Sequence, residues 1–109
     1  MSQEAFKKAE KFTLNNSVDY TDGGVISKII TRNNAGNITL FSFDEQQSLS
    51  EHTAPFDAMV QIIEGEAMIT INKVQFQLLK GECLIMPANE PHAVYAKTRF
   101  KMLLTMIKG

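Results

Sequence analysis

The chain has 109 residues, 44% of them hydrophobic, enough for one compact domain with a real core and too few for a second. Eleven Lys and Arg against twelve Asp and Glu leave a net charge of −1, so no basic face can neutralise a phosphate backbone or an anionic bilayer, and nucleic acid and membrane are excluded as expected partners. A lone cysteine, Cys83, and the lack of any apolar run near the roughly 18 residues that span a bilayer point to a cytoplasmic protein held together by packing.

Ala5, Ala9 and Phe12 fall at helical spacing, and Thr13 to Tyr20 turns polar, so residues 1–20 read as an N-terminal arm with a short helix and 21–109 as the domain proper. From there short segments rich in Ile, Val, Phe and Thr recur, punctuated by Gly, Asn, Asp or Pro about every ten residues, as in an all-β sandwich or barrel. The strand candidates are Val25 to Thr31, Asn37 to Phe43, Ala58 to Ile63, Ala67 to Ile71, Phe76 to Leu79, Cys83 to Met86, His92 to Ala96 and Phe100 to Ile107. Arg32 to Gly36 reads as a hairpin turn, since Asn and Gly tolerate positive φ. Gly65, alone between two apolar segments, predicts a tight bend or bulge, and Gly81 repeats the device.

Two segments carry a family resemblance. Glu51-His52-Thr53-Ala54-Pro55, followed by the strand ending in Glu64-Gly65-Glu66, resembles the first cupin motif; Gly81, Pro87 and His92, in that order and spacing, resemble the second. The resemblance implies an all-β cupin barrel, a double-stranded β-helix or jelly roll, preceded by the short arm. The metal-binding form of that family supplies three histidines and a glutamate. Here His52 and His92 match two of the histidines, while Ala54 and Ala58 stand at the other two positions, and Asn89 replaces a common glycine. The resemblance thus leaves room for a divalent transition metal (zinc, nickel, iron, manganese or copper) at His52 and His92 with half the ligand set gone. Asp57 would turn away from a barrel that Ala58 faces, unless a bulge at Pro55-Phe56 reversed it. Cys83 reads first as a small buried hydrophobe, then as a ligand.

Alternation from Ala58 puts Val60 and Ile62 inward and Met59, Gln61 and Ile63 outward. Five methionines, Met59, Met68, Met86, Met102 and Met106, fall in strands as core filler or as a deformable pocket lining. The leading expectation is a small-molecule pocket formed by His52, His92, Ala54, Ala58, Val60 and Ile62. The alternatives are a metal-dependent enzyme of dioxygenase or isomerase type and a structural or sensory module with a vestigial cavity. The apolar outward row and the apolar closing strand Phe100 to Ile107, together with the family resemblance, predict a homodimer.

Overall fold

The computed structural model describes residues 6–108. Eight strands run β1 Val25–Asn33, β2 Gly36–Phe43, β3 Ser48–His52, β4 Asp57–Ile71, β5 Val74–Leu79, β6 Cys83–Met86, β7 His92–Tyr95 and β8 Phe100–Ile107. All pairings are antiparallel along the path β1-β2-β8-β4-β7-β3, with β5 and β6 each pairing β4. None of the described helical segments is long and apolar enough to cross a membrane.

The two segments read as separate strands around Gly65 are one strand, β4, bent at a bulge. The register against β8 slips between Ile62 and Glu64, and the buried positions change from Ala58, Val60 and Ile62 to Ala67 and Ile69. Gly65 makes this possible with φ +75, because a Cβ there would stand 2.2 Å from the Arg99 carbonyl oxygen. The first half of β4 thus pairs with β6 and β8, and the second half with β5 and β7. Between the layers lies one apolar cluster, in which the Phe43 and Phe100 rings stack at 4.6 Å between centroids.

The expected hairpin joins β1 to β2 through Asn34 and Ala35; Gly36 takes the positive φ, and the asparagines do not. Asn33 instead accepts the Ala35 N–H at its side-chain oxygen. Asn89, in place of a glycine, has φ +66, a conformation asparagine tolerates better than most residues.

The predicted N-terminal helix is absent between Phe6 and Phe12; its first residues lie outside those described, and the only helical turn among the described residues is a 3-10 turn at Leu14–Asn16. Instead the arm is strapped onto the outer face of β2, β4 and β8. Val18 is buried, Ser42 Oγ donates to the Asp19 carbonyl, and the buried Lys101 ammonium donates to the Asn15 carbonyl. Tyr20 donates its hydroxyl to Glu64. That bond holds the Glu64 carboxyl below its usual range, while burial and the same bond push the Tyr20 phenol up.

Candidate functional site

Residues directly opposite each other in an antiparallel ladder share a face, so the registers define rungs across the barrel interior. One rung on the first layer runs Arg32, Asn37, Met106, Ala58, Met86. The matching rung on the second layer runs Val74, Ile71, His92, His52. Both lie at the same end, because the Pro87–Pro91 loop joins Met86 to His92 and the 53–56 loop joins His52 to β4. Two hydrogen bonds clasp these loops together, Asn89 N–H to the Ala54 carbonyl at 2.7 Å and Ala88 N–H to Asp57 Oδ1 at 2.8 Å. The central strands of the deeper rungs are apolar, Leu104, Val60 and Leu84, then Met102 and Ile62, with Thr39 the buried polar member of the first. The mouth is where this interior turns polar.

His52 reaches the inner face through a second bulge. Leu49 pairs with Val94 and His52 with His92, so three steps on β3 match two on β7, and residues of opposite parity both point inward. His92 starts β7 on the buried side with Val94 and Ala96; it is 7% exposed, whereas His52 stands open to solvent.

The two imidazoles face each other with Nε2 atoms 3.1 Å apart. Each Nδ1 sits against a main-chain carbonyl, His52 against Ser50 at 2.8 Å and His92 against Glu90 at 3.3 Å. A carbonyl oxygen only accepts, so each Nδ1 carries the proton and the Nε2 atoms are left to face each other; when both rings are neutral, each presents a lone pair there. Two lone pairs at hydrogen-bond distance repel unless a donor or a cation lies against them. Burial, helped by the charge of His52 and opposed by the Glu90 carbonyl, lowers the His92 pKa and favours the neutral ring.

The expected pocket residues separate by depth. His52 and His92 meet at the mouth, Ala58 stands buried on the corresponding rung of the other layer, and Ala54 lies in the clasp beside them. Val60 and Ile62 belong to the packed floor, at 0% and 1% exposure. Asp57 is exposed, caps the Ala88 N–H and shares the outward side with Ile107, with no bulge at Pro55-Phe56 to reverse it. Cys83, expected to be a small buried hydrophobe, is exposed opposite Gln61 on the outer side of β6. Met86 and Met102 fill the core, and Met59 faces out.

Zinc, copper, iron and nickel centres generally draw three or four protein ligands. Among the described residues no group of three or more His, Cys, Asp or Glu could hold an ion, and Ala54 and Ala58 offer only methyl groups. The residues present therefore do not fit a resident metal centre of the four-ligand kind.

Arg32 and Asn37 on the mouth rung are what sequence reasoning missed; it read the first as a turn residue and the second as a strand start. Their signal is symmetry about the Asn34-Ala35 turn, which makes them a cross-strand pair.

A model of the family described as "Cupin domain" matches residues 39–108. A conserved protein of unknown function from Streptococcus pyogenes is 34% identical, with a TM-score of 0.91 over 100% of this chain and 96% of that one. A cupin superfamily protein from Desulfitobacterium hafniense is 28% identical, with a TM-score of 0.89 over 100% of both chains. A Cupin 2 conserved barrel domain protein from Leptotrichia buccalis is 38% identical with a TM-score of 0.87; the match covers 89% of this chain and 47% of that one. No curated protein matches the sequence.

Proposed function

This chain belongs to the cupin domain family, and from that premise we propose that it binds a small molecule at the open end of its barrel, through a hydrogen-bond donor placed against His52 and His92. The observation that carries this reading is the pair of Nε2 atoms 3.1 Å apart, each ring set by a carbonyl against its Nδ1, so that two neutral rings would bring lone pair against lone pair. A hydroxyl or amino group of a ligand relieves their repulsion. The apolar surface of the half-buried Met106 and Ile71 on the same rungs takes the ligand's carbon skeleton. Two imidazoles that, among the described residues, belong to no group of three or more His, Cys, Asp or Glu able to hold an ion favour this over a metal-dependent enzyme.

The test is a titration of the protein, purified without an affinity tag, with 1,3-octanediol, followed by amide chemical shifts. We expect the changes to centre on His52, Ile71 and His92 and to vanish in a His52→Ala, His92→Ala double variant that keeps the wild-type spectrum elsewhere. Changes that persist in the double variant overturn the reading. So does near-stoichiometric metal in the wild type that the double variant loses.

A further inference from the structure

We propose that the ligand is an apolar hydroxy acid, whose carboxylate is taken by Arg32 and Asn37 while its hydroxyl meets the histidine pair. This rests on the reading of the mouth as a ligand site and adds the charge of the ligand to it.

Polarity is unevenly distributed around the mouth. The central strands of both layers contribute Ala58, Met106 and Ile71. The polar side chains stand at the two ends of the sheet path, Arg32 and Asn37 on β1 and β2 and His52 on β3 with its neighbour His92. The ends of this curled sheet share one interior, since Val25, Phe41 and Leu49 pack against the same apolar cluster. Arg32 owes its inward side to a bulge between Ile29 and Thr31, without which it would share the face of Ile38.

Asn37 is oriented as well as placed. Thr39 Oγ1 donates to Asn37 Oδ1 at 3.1 Å, which leaves the amide's Nδ2 end to donate. A guanidinium and an amide NH2 on one rung are matched to a carboxylate, which accepts at both oxygens. Asp57, next to Ala58 on β4, is turned to the outer side and holds the Ala88 N–H. Facing layers stand about 10 Å apart and an arginine side chain spans more than half of that, so head group and hydroxyl must be a few bonds apart. A cleft of about 200 Å3 at the β1–β2 hairpin is lined by Arg32, Asn37 and Met106 together with Thr31, Ile38 and Thr105.

The experiment compares 3-hydroxyoctanoate with 1,3-octanediol, by amide chemical shifts, on the wild type, Arg32→Gln and Lys97→Gln. Arg32 is exposed on a hairpin, so its variant keeps the fold. We expect the hydroxy acid to bind at least about tenfold more tightly than the diol, the size of one lost charge-assisted hydrogen bond. Arg32→Gln should erase that advantage and Lys97→Gln, a charge change between β7 and β8, should keep it. Equal affinity for acid and diol, with both still requiring the histidines, overturns the carboxylate assignment and leaves the mouth as a ligand site. An advantage that survives Arg32→Gln overturns the role of Arg32. Failure of both probes to perturb the mouth overturns the ligand site itself, and this inference with it.

Discussion

His92 sits where a positive charge costs more than it does in water. Burial lowers its pKa from the ordinary value of 6.5, so between the folded and unfolded values the unfolded chain binds a proton that the native protein refuses. Stability from this group is complete above the unfolded value and is lost as pH falls through that window. The Asp44 carboxyl, held low chiefly by Arg99, and the Glu64 carboxyl, held low chiefly by Tyr20, act in a separate and more acidic range. The urea midpoint should therefore fall between about pH 7.5 and about pH 5.5, and a His92→Gln variant should show a smaller fall over the same range. An equal slope in the variant would place the titrating group elsewhere. Sequence alone pointed to both histidines, because each falls at a histidine position of a recognisable motif. It could not show that two carbonyls orient them nitrogen to nitrogen, since Ser50 and Glu90 act through their backbones and not through their side chains.

Among the elements, β4 and β3 show what alternation does and does not reveal. The apolar rhythm on either side of Gly65 was legible, and the glycine marked the bend; the continuity of the strand was not, because the bulge switches which parity is buried. β3 was missed altogether. Its sequence Ser-Leu-Ser-Glu-His has one apolar residue in five, lies at the end of the sheet path and is bulged, so it carries no period of two to read. The bulge in β4 can be tested by giving a side chain to its glycine. Gly65→Ala combines a positive φ with a backbone collision and should cost about 3 kcal/mol or more in urea unfolding. Gly81→Ala has φ +88 but nothing within 4 Å, and should cost about 1 kcal/mol. Similar losses at both sites would show that conformation alone, without close approach, accounts for Gly65.

For the whole molecule, the arm covers one outer region and leaves another bare. Met59 and Ile85 are cross-strand neighbours on the outward side of β4 and β6, at 37% and 61% exposure, and Ile107 nearby is 65% exposed. The homodimer expected from the sequence would be built here, on the face that β6 borders. Light scattering should then give twice the 12.2 kDa chain mass, and Ile85→Lys should return it to the single-chain value without loss of fold. A single-chain mass for the wild type at high concentration would refute that association.

The bent strand β4 has one more consequence, which concerns how the molecule comes apart. It is hydrogen-bonded to β5, β6, β7 and β8, so neither layer can open without tearing a strand that the other layer also needs. The two layers cannot breathe independently of each other. Solvent should reach the amide protons at the centre of β4 only when the entire barrel unfolds, which makes this strand the slowest-exchanging part of the chain and joins both sheets into a single cooperative unit.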